Sequence, residues 1–197
     1  MKTLTNLTLL FLTASLLSGC GIQSIPQSKN QVEASLAEIT NQYKRRADLI
    51  PNLVSVVKGY AKHEEQTLTS VIEARAKATQ VTLDPTKITP EKLKEYQEAQ
   101  SGVSQALGRL MVVSEQYPNL KADTQFRDLQ AQLEGTENRI TVARQRYIQS
   151  VQDFNNLVTV PPTSWTNSLI YHHEKMPQWD VAAEEKGAVE KPPQVTF

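Results

Sequence analysis

From Phe126 to Val158, apolar or small side chains recur at Phe126, Leu129, Leu133, Thr136, Ile140, Ala143, Tyr147, Val151, Phe154 and Val158. Every step is three or four residues, the spacing of one face of an α-helix. The stretch from Leu120 to Val158 contains no proline and a single glycine, Gly135. It predicts one helix of roughly 58 Å at about 1.5 Å per residue. A stripe of that length must be covered by other helices.

Three further segments carry the same period. The first runs through Val32, Leu36, Ile39, Tyr43, Ala47, Ile50, Val54, Val57 and Ala61, and the second through Leu68, Val71, Ile72, Arg75 and Ala78. The third runs through Leu93, Tyr96, Gln100, Val103, Leu107, Leu110, Ser114 and Tyr117. Pro51 lies inside the first run, lacks a backbone donor and crowds the carbonyl of Ala47, so a kink or a short break is expected there. Asp84-Pro85 and Thr89-Pro90 both read as an N-cap followed by Pro at the first helical position. Pro118-Asn119 reads as a tight corner into the last helix.

Four periodic segments joined by short corners predict an all-α fold: an antiparallel up-down four-helix bundle of long helices over residues 31–160. A corner at Pro118 sets Gln100 opposite Gly135-Thr136 and Leu107 near Leu129. Gly102, Gly108 and Gly135 each cost on the order of 1 kcal/mol against Ala inside a helix, and close approach of neighbouring helices is the expected compensation. Residues 161–197 contain Pro161-Pro162, Pro177 and Pro192-Pro193. They are expected to form an irregular tail.

The N-terminus changes the picture. Lys2 precedes an apolar stretch from Leu4 to Leu17, and then comes Leu17-Ser18-Gly19-Cys20. This resembles the bacterial lipobox, which implies a signal peptide over residues 1–19 and an acylated Cys20 on a tether over residues 20–30. Each buried methylene of such a chain, palmitate for example, contributes about 0.8 kcal/mol, and two or more chains give a stable anchor. Gly21 stands where an Asp would retain a lipoprotein in the inner membrane, so the expectation is an outer-membrane lipoprotein facing the periplasm. Cys20 is the only cysteine, which excludes a disulfide or a thiolate metal cluster within one chain. The formal net charge is zero, so no overall field draws nucleic acid to the chain.

Candidate chemistry is sparse. His63-Glu64 begins like a zinc-protease helix, but position 67, where the second His would stand, is Thr. His172-His173 beside Glu174 would hold a metal only weakly. There is no Gly-x-Ser-x-Gly elbow and no Gly-rich phosphate loop. No cofactor is expected. Two polar features are more substantial. Arg45, Arg46, Asp48, Gln100, Glu134, Glu137, Arg139 and Arg144 form a candidate polar layer, read as interhelical pairs that set the register of the bundle. Trp165, Tyr171 and Trp179 are aromatic points in the tail, which either meet the membrane interface or fold back onto the bundle.

Two blocks carry a family resemblance. The segments Asn41-Gln42-Tyr43-Lys44-Arg45-Arg46-Ala47-Asp48-Leu49-Ile50-Pro51-Asn52-Leu53-Val54 and Leu133-Glu134-Gly135-Thr136-Glu137-Asn138-Arg139-Ile140 resemble the signature of the LemA family. Val112 to Ala122 is similar as well, and the resemblance spans roughly residues 41–160 and, faintly, the terminal Pro193-Gln194-Val195-Thr196-Phe197. It implies a helical bundle held at a membrane by its N-terminus, with no settled biochemical activity. Members usually carry a transmembrane helix at the N-terminus, whereas the lipobox here implies a lipid in its place.

The function expected from these readings is a membrane-tethered periplasmic helical bundle. It would act as an interaction or scaffold module for an envelope protein, without catalysis. The alternatives are an enzyme or ligand-binding domain using Arg46, Glu134 and Arg139, recognisable by a pocket those residues line, and a structural lipoprotein that contacts peptidoglycan.

Overall fold

The computed structural model describes residues 22–179. Among them every regular element is helical, in agreement with the all-α expectation. The long helices are α1 (Ser24–Tyr60), α2 (Glu65–Gln80), α3 (Pro90–Ser114) and α5 (Thr124–Thr159); α4 (Pro118–Ala122) and α6 (Thr163–Thr166) are short, and a π-helical turn spans Asn167–Tyr171. Cys20 and the leader before it lie outside the described residues, as does the chain after Trp179.

The long stripe in α5 is buried as its spacing predicts: Phe126, Leu133, Ile140, Ala143, Tyr147, Val151, Phe154 and Val158 all lie in the interior. Its chief partner is α1, at 37 residues about as long as α5 at 36. Cross-links show that the two run antiparallel. The Tyr60 hydroxyl donates to Asp123 at 2.7 Å, Arg46 reaches Glu137 at 3.0 Å and Arg146 meets Glu38 at 2.6 Å. Near the other end the Ser35 and Ser150 hydroxyls meet at 2.8 Å. Successive helices also alternate in direction, since Ala47 of α1 meets Arg75 of α2, and Ala78 of α2 meets Gln100 of α3.

Four helices lie abreast along only part of this length. The interior divides into two apolar clusters. One holds Ile50 to Val57 of α1, the buried face of α2, Ala99 to Leu110 of α3, Leu120, and Phe126 and Leu133 of α5. The other holds Ile25 to Tyr43 of α1, only Leu93 and Tyr96 of α3, and Ile140 to Val158 of α5. Helix α2, at 16 residues, contributes no buried residue to the second cluster. The loop after it, through Val81, Leu83 and Ile88, and the tail, through Tyr171, Met176 and Trp179, pack on that cluster instead.

Several local expectations need correcting. The segment expected to be a tether is helical from Ser24, with Ile25 buried, so α1 begins well before Val32. Thr89 caps α3 as predicted, accepting from the Lys92 amide at 3.2 Å, but Asp84-Pro85 opens no helix. Asp84 instead accepts from the amide and hydroxyl of Thr86, making a turn. Pro118 starts α4 instead of a tight corner, and Asp123 caps α5 by accepting from the Phe126 amide at 2.9 Å. Gln100 and Ser104 of α3 both share Arg46 with Glu137 of α5, the residue after Thr136, and Leu107 lines one groove with Gln130, Leu133 and Glu134.

The glycines do not mark close approach: a Cβ at Gly102 or Gly108 would meet nothing within 4 Å, and one at Gly135 only the tip of Arg139 at 3.9 Å. The small contact between α1 and α5 is made by Ser35 and Ser150 instead.

Pro51 lies inside a continuous α1, so there is no break. The missing donor has a substitute. The carbonyl of Ala47, which a residue-51 amide would have bonded, accepts from Arg75 Nε at 2.7 Å. A hydrogen bond from a charged donor to an otherwise orphaned carbonyl is favourable at a helix defect. Arg75→Met is therefore expected to lower stability by about 1 kcal/mol in urea unfolding of the full protein. In a Pro51→Ala background, where residue 51 supplies its own amide, the same substitution is expected to cost little; equal losses in both backgrounds would refute the link.

Candidate functional site

The seam between the two apolar clusters is polar, and Arg46 lies at its centre. It follows Tyr43 and precedes Ile50 on the buried face of α1, and only 2% of its surface is exposed. A guanidinium so far from water must find acceptors or destabilise the fold by several kcal/mol. Two other helices supply them. One terminal nitrogen donates to the Ser104 hydroxyl at 2.8 Å and to Glu137 at 3.0 Å. The other donates to the backbone oxygen and the side-chain oxygen of Gln100, both at 2.9 Å. The Gln100 amide continues to the carbonyl of Ala78 at 3.5 Å, so α2 joins the network.

An aromatic cluster lies directly against this seam. The Tyr43 ring has Arg46 4.9 Å and Arg144 5.9 Å from its centroid. Tyr96 meets it edge-on at 5.6 Å and Trp179 stacks on it at 6.4 Å. Arg144 donates to the Tyr43 hydroxyl at 3.1 Å and pairs with Glu137 at 3.8 Å. Cation–π contacts of this kind strengthen as water is excluded. Burial pushes the Tyr43 phenol up, opposed by the charges of Arg144 and Arg46. Burial also pushes Tyr96 and Tyr147 up to about 12. These phenols therefore stay protonated at neutral pH and act as hydrogen-bonding groups.

Of the eight residues predicted for the polar layer, the structure gathers four: Arg46, Gln100, Glu137 and Arg144. Arg45, Asp48, Glu134 and Arg139 are exposed. Arg45 is one residue from Arg46, which turns it about 100° away around the helix. Glu134 takes a bond from Gln130 on its own helix, and Arg139 reaches only Thr136 at 3.4 Å. Sequence reasoning missed Ser104, although it stands four residues after Gln100 on the same face.

A half-open groove of about 290 Å³ lies between α3 and α5 beside this network. Leu107, Met111 and Leu133 give it apolar walls, Gly108 leaves one side bare, and Arg46, Glu134 and Glu137 add charge. It includes two of the three residues named for a pocket; Arg139 does not line it. Among the described residues, no His, Cys, Asp and Glu cluster that would hold a metal is found. His63 sits in the turn between α1 and α2.

The aromatic points of the tail part company. His172, at a φ of 54°, reverses the chain after the π-helical turn. Asn167 then pairs with both backbone groups of His173, at 2.9 and 3.0 Å. Asn155 of α5 does the same for Met176, at 2.8 and 3.0 Å. Trp179 is thereby set against Tyr43, Tyr147 and Arg144, on the flank of the bundle. Tyr171 stacks on His173 and donates to the carbonyl of Ile22 at 2.5 Å, while Trp165 is 64% exposed.

The LemA family model matches residues 35–197, which include the whole polar seam, the groove and the tail. The chain belongs to the LemA family. Among curated relatives of this LemA chain is Protein LemA of Metamycoplasma hominis, 24% identical over 165 residues, which cover 84% of this chain and 69% of that protein. The match joins the sequence blocks at 41–160 and 193–197 and adds the residues between them. The tail is part of the LemA unit, as its packing on the second cluster also indicates.

The seam makes an energetic prediction for this LemA bundle. Arg46→Ala is expected to destabilise the protein by on the order of 3 kcal/mol, because Gln100 and Ser104 lose their buried partner. Arg46→Lys should cost nearly as much, since one ammonium cannot span the Ser104–Glu137 and Gln100 sides together. Glu137→Gln should cost about 1 kcal/mol or less, because Glu137 is 46% exposed and water screens the pair. Urea midpoints of the three variants check the order.

Proposed function

We propose that this protein is a membrane-tethered scaffold of the cell envelope, held through acylated Cys20 and facing the periplasm from the outer membrane. It presents its helical bundle to a protein partner and does no chemistry itself. The observation that carries this reading is the saturation of Arg46: both its terminal nitrogens are bonded to groups of α3 and α5. The most buried charge in the described chain thus holds helices together. The lipobox sequence at Leu17 to Cys20 supports the anchor. Among the described residues no helix is long and apolar enough to cross a membrane. The outer faces of the helices carry isolated exposed apolar side chains, Ile72, Val112 and Val142, that a partner would cover.

Photo-crosslinking residues placed at Ile72, Val112 and Val142 in living cells test the scaffold reading. At least one position should give a discrete adduct with a single envelope protein. No adduct from any position, with the protein folded and in the membrane fraction, would overturn it.

The groove favours a second reading, a binding site for a small uncharged apolar ligand along Leu107, Met111 and Leu133. Nile red, an uncharged apolar dye, serves as the probe. Saturable binding that Gly108→Leu abolishes, with the fold intact, would support it. Binding unchanged by that substitution would exclude it, because the added side chain occupies the groove.

A further inference from the structure

The chain is short of charge in two places that the fold brings together. No Asp, Glu, Lys or Arg occurs from Thr3 to Ser28, nor from Phe154 to His173, although 21% of the chain is charged. The first stretch ends in the opening turn of α1. The second comprises the end of α5, α6 and the π-helical turn. They meet where the Tyr171 hydroxyl bonds the carbonyl of Ile22. One end of the bundle is therefore poor in charge, with Lys29 beside His173 at its edge, and the first ion pair inward from it between α1 and α5 is Glu38–Arg146.

That end is also the most apolar exposed surface of the described chain. Leu169 is 80% exposed, Trp165 64%, and Ile170, Val160 and Ile22 about half. The segment that carries them is held firmly. Ser164 bonds back to Val160 at 3.1 Å, and Asn167 is buried, with its amide on Val158 at 3.4 Å and on His173. Large apolar side chains on a braced turn are unfavourable in water. A Trp beside Leu and Ile, on a stretch that carries no Asp, Glu, Lys or Arg, suits the interface of a bilayer.

We infer that Trp165, Leu169 and Ile170 form a membrane-inserting wedge that sets the bundle upright on the lipid surface. The occupant is a bilayer, and not a second protein, because of where the chain goes next. Immediately before Ile22 come Cys20 and the apolar stretch Leu4 to Leu17, so whichever of these holds the membrane, it holds it at this end. The inference rests on the membrane tether proposed above and adds a second, non-covalent contact. That contact would fix the orientation of the bundle, which a flexible lipid chain alone leaves free.

The two tryptophans of the chain provide the test, since Trp179 is packed on the flank and Trp165 is at the wedge. The full chain, expressed with its own N-terminus, is reconstituted into vesicles of phosphatidylglycerol and dibrominated phosphatidylcholine. Trp179→Phe leaves Trp165 as the sole emitter, and Trp165→Phe leaves Trp179. Trp165 emission should be quenched several-fold more strongly than that of Trp179, and Leu169→Gln with Ile170→Gln should remove most of the difference. Vesicle-bound protein whose Trp165 is no more quenched than Trp179 overturns the wedge but keeps the tether, including the case in which the patch covers a second copy. Protein that stays in solution during vesicle flotation overturns the tether and the wedge together.

Discussion

A guanidinium without water must be given acceptors, and the rest of this bundle is arranged around that requirement at Arg46. Three helices meet on one side chain: α1 carries it, α3 surrounds it with Gln100 and Ser104, and α5 closes it with Glu137. Apolar contacts alone tolerate a shift of one helix turn, because a slipped stripe still buries leucines and valines. A forked, charged donor tolerates no such shift. The polar seam therefore specifies alignment, and the apolar clusters on either side of it supply the bulk of the favourable burial.

The seam also marks where the architecture changes. On one side four helices share an interior; on the other, α2 has ended and the tail covers α1 and α5. The substitution of irregular chain for helix is possible because Asn155 and Asn167 supply the bonds that a helix would make internally. Each asparagine presents its amide to both backbone groups of one tail residue, as a neighbouring strand would. The irregular stretch after Tyr171, which contains Pro177, is thereby fixed in place, and Trp179 packs against the second cluster.

Much of the fold was legible in the sequence, and for a definite reason. The period of α5 is carried by side chains that have no alternative to burial, and the Thr89-Pro90 start of α3 is a local signal needing no tertiary context. What escaped depends on distance in the chain. Whether Pro118 makes a corner or begins one more helical turn could not be read locally, because Leu120 is apolar enough to suit either. The partner of the Ala47 carbonyl is Arg75, on another helix, and local reading can identify the defect at Pro51 without finding its remedy. Glycine suggested close packing at Gly102 and Gly108, whereas the helices approach at serines. Half of the polar layer was assigned by residue type; facing direction, which a shift of a single residue changes by about 100°, decided which half was right.

The bonds to Asn155 leave the described chain ending at Trp179 beside Tyr43. Counted along α1 from Ser24, that is about 28 Å at ~1.5 Å per residue. The described chain thus ends on the side of the molecule, part-way along its length. Trp179 fluorescence would therefore report on the middle of the bundle and not on either of its ends.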